Sequence, residues 1–307
     1  MKNLFILLVL VCVPLLATAQ QDVGQWRLVH PTEVTTDSEG RIYVNDKWNS
    51  RIIRVDDISG RNPVSFGRPG SGVDQLNYPA GLATDEAERL YIVDEQNNRI
   101  VRIDDMSGAG WTTFGTRGSG SGQFKDPGGM ALDAQGRIYI TDCRNHRIVR
   151  IDDMSGAGWI ALGTKGDGRG QFQLPWTVFV EQDGTIWVAD NGNHRFVRMR
   201  DMEGSDWTSF GSRGDGKGQF NGPAQVINAD GKIYVTDYAN HRLVRMDDIR
   251  GTNWISLGTK GEGRGQFNFP VGLVAWAGII FVVDEYNNRI VRIQDVKGTN
   301  WTTFPQE

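Results

Sequence analysis

The chain has 307 residues, 39 of them glycine, and a formal net charge of −4. That mild acidity argues against nucleic acid as the main partner, because such proteins present a basic surface. Only two cysteines occur, too few for a disulfide scaffold, so the fold must rest on a hydrophobic core that this length can supply.

Residues 1–19 read as a cleaved export signal. Lys2 gives a basic start, LFILLVLVCVPLL is an apolar run, and ATA before Gln20 is a small-residue cleavage site. The run is short for a membrane span, and Cys12 follows Val11 inside it, which excludes a lipoprotein signal. Cleavage near Ala19-Gln20 predicts a secreted or periplasmic chain of about 288 residues without a transmembrane span. Loss of Lys2 takes its charge from −4 to −5, and Cys143 becomes its single cysteine, read as an occupant of a variable turn.

Residues 31–307 repeat. Prolines at 31, 79, 127, 175, 223 and 270 are spaced by 48, 48, 48, 48 and 47 residues, a period that signals a repeat architecture. In the copy from Pro127 to Leu174, GMALD, RIYITD, RIVRIDD and WIALG are separated by Gly-, Asn- and Asp-bearing turns. These short runs rich in Ile, Val, Tyr and Trp predict four antiparallel strands, and no window shows helical periodicity. Six copies predict an all-β, six-bladed β-propeller with four strands per blade.

The wording of the copies carries a resemblance. Asn145-His146-Arg147, Asn193-His194-Arg195 and Asn240-His241-Arg242 follow strands that end in aspartate. The phrase GQF precedes the proline at Gln123, Gln171, Gln219 and Gln266, with Gln75-Leu76 as a variant. This is similar to the NHL repeat over residues 24–307, with Asn98, Asn288 and Ser50 as departures at the histidine. The resemblance implies the propeller fold. NHL propellers serve as RNA-binding, protein-binding and sensor modules, and related six-bladed propellers include amidating lyases and lactonases. GQW at Gly24–Trp26 stands where a GQF loop would, so residues 20–30 are expected to dock between the last blade and the first, with Trp26 as the anchor.

Several repeated residues look chemical but read as scaffold. Asp46, Asp94, Asp142, Asp190, Asp237 and Asp284 each precede an arginine by five residues, a spacing that lets the pair close a turn. The second acid of DDM, as in Asp153, is expected to cap the following turn. His146, His194 and His241 sit on successive blades, at an expected separation on the order of 10 Å, whereas zinc needs each nitrogen at ~2 Å. They are read as hydrogen-bonding fillers. No metal and no cofactor are expected. Trp111, Trp159, Trp207, Trp254 and Trp301 are expected to pack between blades.

Function should lie where the copies disagree. Two residues after each proline stand Glu33, Gly81, Gly129, Thr177, Gln225 and Gly272. The turns carry Lys47-Trp48, Glu95-Gln96, Cys143-Arg144, Asn191-Gly192, Tyr238-Ala239 and Glu285-Tyr286. The candidate ligand-binding residues are therefore Trp48, Trp176, Tyr238, Tyr286, Glu33, Gln225 and Arg144. Amphipathic aromatics on turns suit a protein, peptide or glycan. The expected function is an exported, monomeric, non-enzymatic binding or sensor module. The alternative is a propeller enzyme of the lyase or lactonase kind, for which no nucleophile–base pair is visible and no catalytic residue is assigned.

Overall fold

The computed structural model of the protein describes residues 26–305. The predicted signal and residues 20–25 lie outside them. Six four-stranded antiparallel sheets follow one another along the chain, at residues 31–66, 79–114, 127–162, 175–210, 223–257 and 270–304. We number them blades 1 to 6. In blade 3 the strands are Pro127–Leu132, Ile138–Asp142, Arg147–Ile151 and Ile160–Leu162. The order within every blade is sequential, so no strand is exchanged between blades. Two-residue parallel pairs, such as Thr164–Lys165 with Gln171–Phe172, brace the long loops between blades.

Alternation decides which faces pack. The second strands read IYVND, LYIVD, IYITD and IWVAD, and in these four blades every residue is buried because blades stack on both faces. Six core clusters result, each joining two neighbouring blades. Val93 and Ile100 of blade 2 meet Ile140 and Val149 of blade 3, for example. The closing cluster joins Val283 and Ile290 of blade 6 to Val44 and Ile53 of blade 1.

The loop phenylalanine of GQF is the anchor of each junction. Phe124, Phe172, Phe220 and Phe267 are fully buried, as is Leu76. Trp159, Trp207, Trp254 and Trp301 pack on these phenylalanines at 5.2–5.5 Å between ring centroids. At the blade 6–blade 1 junction that slot is filled by Leu28, which is fully buried, while Trp26 packs at its edge. The repeat spacing explains this correction, since 28 + 48 = 76 places Leu28, and not Trp26, in register with Leu76.

The second-to-third strand turn is a single 3-10 turn, Cys143–Asn145 in blade 3, ended by a left-handed residue, His146, at φ 55°. Six Asp–Arg pairs hold these turns, with Nε to Oδ2 distances of 2.7–2.9 Å and every aspartate fully buried. The other carboxylate oxygen accepts a backbone N–H from the incoming loop, Lys125 to Asp142 at 2.7 Å in blade 3. One acid thus ties turn, strand and loop together. Burial pushes Asp94, Asp142, Asp190, Asp237 and Asp284 upward, opposed by these hydrogen bonds.

The histidine of the triplet is an inter-blade hook. Leu174, Gly222 and Phe269, each just before the next proline, donate their N–H to Nδ1 of His146, His194 and His241 at 3.0–3.1 Å. Asn98 and Asn288 do the same with Oδ1, accepting from Asp126 and His30. An acceptor at that position is what the geometry requires, and neutral imidazole or carboxamide supplies it.

Candidate functional site

The 3-10 turns and the incoming loops open on one face, around a cavity of about 380 Å³ that leads into the channel. A second cavity of about 300 Å³ continues below it between the innermost strands. Glu33 lines both.

A bulge places Glu33 there. Pro31 pairs with Asp46 and Val34 with Val44, so an extra residue is accommodated between them and the strand turns its side chain toward the channel. Fully buried Asn45 fixes the bulge, accepting N–H from Thr32 and Glu33 at 2.8 and 2.6 Å. Gly81, Gly129 and Gly272 occupy the same position in blades 2, 3 and 6. A Cβ there would lie 2.7 Å from Met130 N, Thr177 Cα and Thr32 O respectively. These glycines allow adjacent inner strands to touch, which leaves Glu33, Thr177 and Gln225 as the side chains of the constriction.

Glu33 is 7% exposed. Burial pushes its carboxyl up to about 8, with hydrogen bonds from Val34 N–H and Gln225 pulling the other way. No cation is paired with it among the described residues. Above it the charged side chains are paired. Lys47 Nζ meets Glu95 at 2.6 Å, Arg144 pairs with Asp126, and His30 Nδ1 lies 3.3 Å from Glu285. Burial raises Glu285 and Tyr238 as well. Cys143 lies in the wall, its thiol pushed up to about 12 by burial, and so stays protonated at neutral pH.

The mouth is divided. Over blades 1 to 3 it carries the Lys47–Glu95 and Arg144–Asp126 pairs. From blade 1 back through blades 6 and 5 to blade 4 runs an unbroken arc of six rings. Trp48 stacks on His30 at 4.0 Å, then Tyr286, Phe269, Tyr238 and Trp176 follow at 4.7, 4.8, 4.7 and 5.2 Å.

Of the residues expected from sequence, Glu33, Arg144, Trp176 and Tyr238 line the upper cavity together. Trp48 and Tyr286 stand on its rim, 55% and 48% exposed. Gln225 lines the lower cavity instead, with Oε1 accepting the Leu273 N–H at 2.6 Å. It sits beside Glu33, to which its side chain hydrogen-bonds. Sequence reading missed His30 and Phe269. Both hold the position just before the repeat proline, filled elsewhere by Tyr78, Asp126, Leu174 and Gly222. Comparing the copies at that position would have found them.

Six four-stranded meanders around a channel, with one open mouth, define a six-bladed β-propeller. The family model described as NHL repeat matches two stretches of the propeller, residues 124–151 and 172–199. No curated relative matches the sequence. Among solved structures, streptogramin B lyase is similar at TM-score 0.63 and 16% identity, covering 92% of this chain and 84% of that one. A catalytically inactive virginiamycin B lyase from Staphylococcus aureus with quinupristin gives TM-score 0.62 and 16% identity, covering 91% and 85%. The nidogen/laminin complex gives TM-score 0.64 and 17% identity, covering 83% and 90%. At these identities the likeness shows the fold alone.

Proposed function

We propose that the protein is an exported binding module that recognises an extended segment of a partner protein at the mouth of the channel. The observation that supports this most is the six-ring arc, in which Trp48 and Tyr286 are exposed while Trp176 and Tyr238 line the cavity. Rigid amphipathic rings give contact area at small entropic cost. A cavity of about 380 Å³ is near the lower end of the ~300–1,000 Å³ usual for ligand pockets. It suits one or two side chains of a peptide rather than a folded surface. A chain of similar fold was solved in a nidogen/laminin complex, which is in keeping with a binding role.

The enzyme reading has one feature in its favour, a buried carboxyl at the channel floor. Against it, the other ionisable groups of the wall are engaged or neutral: Lys47 with Glu95, Arg144 with Asp126 and Glu285 with His30 are paired, the Cys143 thiol stays protonated, and no histidine is among the lining residues.

Selection from a random peptide library, with a glycan array in parallel, tests the binding reading. Truncating aromatic anchors typically costs ≥ ~2 kcal/mol, so the double variant Trp176→Ala, Tyr238→Ala should bind about thirtyfold more weakly. Trp207→Ala should lower the denaturation midpoint and leave affinity unchanged, because that ring packs on Phe172 between blades. Absence of any selected ligand, or equal affinity of wild type and double variant, would place function elsewhere.

A further inference from the structure

The mouth has a chemistry more specific than aromatic stickiness. Its wall carries four carboxyls, Glu33, Glu95, Asp126 and Glu285, and two permanent cations, Lys47 and Arg144. The cations are consumed by Glu95 and Asp126, and Glu285 has His30. The remaining acid, Glu33, is the deepest, lies at the floor and has no charged partner among the described residues. Trp176 and Tyr238, in edge contact at 5.2 Å, line the same cavity. A buried carboxylate at the floor and aromatic faces in the wall attract the same kind of group, a compact cation on an apolar stem. Resting on the binding reading above, we propose that the cavity receives one lysine or arginine side chain of the partner segment, its charge meeting Glu33.

The other ionisable groups around Glu33 do not compete for this role. Tyr238 and Cys143 are both pushed upward by burial and remain uncharged at neutral pH. Below the floor, Glu33 is the one ionisable residue among those lining the lower cavity. Empty, the Glu33 carboxyl is held near 8 and is mostly protonated at pH 7. A cation entering the cavity displaces that proton to solvent, because a nearby opposite charge favours the ionised form. Affinity for a cation therefore rises with pH until Glu33 is ionised without help, and a neutral ligand lacks this dependence.

The probe is N-acetyl-lysine N-methylamide, with the norleucine analogue as its uncharged control, titrated by calorimetry between pH 6 and 9. Affinity for the lysine probe should rise about tenfold from pH 7 to pH 9, from the ionised fraction of a group near 8. Proton release at pH 7 should appear as a buffer-dependent heat. Glu33→Gln keeps the shape of the protonated side chain, so it should fold, lose the pH slope and bind both probes alike. Lysine-probe binding that is undetectable at pH 9, independent of pH, or unchanged in Glu33→Gln would overturn the proposal. Library peptides that bind the aromatic arc without a basic residue would also sink it while leaving the binding reading intact.

Discussion

At the scale of single residues, the triplet histidine shows how one atom sets a pH dependence. His146, His194 and His241 must present a bare Nδ1 to a neighbouring blade's N–H. Burial holds all three below the usual imidazole range. A depressed histidine contributes stability above its unfolded value of about 6.5, and that stability is lost as pH falls below it. Asp94, Asp142, Asp190, Asp237 and Asp284 shift upward, so they favour the fold on acidification and cannot produce the loss. We predict that the midpoint of unfolding falls between about pH 6.5 and 5 in wild type. A triple His→Asn variant, imitating Asn98 and Asn288, should show a flatter profile, and identical profiles would refute the hook. Glu33 illustrates the limit of sequence at this scale. Its departure from glycine in neighbouring copies was legible, but the bulge, Asn45 and the touching inner strands that bury it were not.

At the scale of elements, each blade is held by contacts that the repeated sequence already announces. Strand alternation and the Asp–Arg spacing were readable because six copies print them in phase, and the GQF phrase because four copies do. The aspartate's second task was not readable, since its bond to the incoming loop joins residues 17 apart, Lys125 and Asp142. Asp142→Asn should keep the turn bonded through Asn145 yet leave Arg147, half-buried beneath the Trp159 ring at 5.6 Å, without its counter-charge. Removing one partner of a buried pair costs about 3–5 kcal/mol, and the burial penalty on Asp142 itself makes the lower end the expectation. Urea denaturation reads the loss, and faster exchange of the Lys125 amide locates it. Wild-type stability in that variant would mean that the loop is held by the phenylalanine anchor alone. Gln225 matches Glu33 in sequence position, while its own register sets it opposite Thr236, and it lines the lower cavity beside Glu33.

At the scale of the whole molecule, the ring closes by side-chain packing at the boundary between blades 6 and 1. Leu28 inserts there among Val44, Ile53, Val283 and Ile290, and His30 N–H reaches Asn288 Oδ1 at 2.9 Å. The same short segment that fills the seam also sends His30 into the aromatic arc, so closure and mouth share residues. We predict that Leu28→Ala costs about 2–5 kcal/mol, the range for burying a cavity in place of leucine, and as much as Leu76→Ala at an ordinary junction. Chemical denaturation compares them. An unchanged midpoint for Leu28→Ala would show that the seam holds without this segment.

Because each blade is one unbroken stretch of 48 or 47 residues, with no strand lent to its neighbour, heredity can handle it as a single unit. Asn97–Trp111 and Asn145–Trp159 differ at one position in fifteen, and genes that carry such tracts can misalign by one repeat and recombine. The products gain or lose a whole blade and never half a sheet. What then selects among them is the channel rather than the rim. Gly81, Gly129 and Gly272 already leave no room for a methyl group between inner strands, so a five-membered descendant would have to force those backbones together. A seven-membered one would only widen the bore. The inner-strand glycines are thus the feature that a lost repeat would test first.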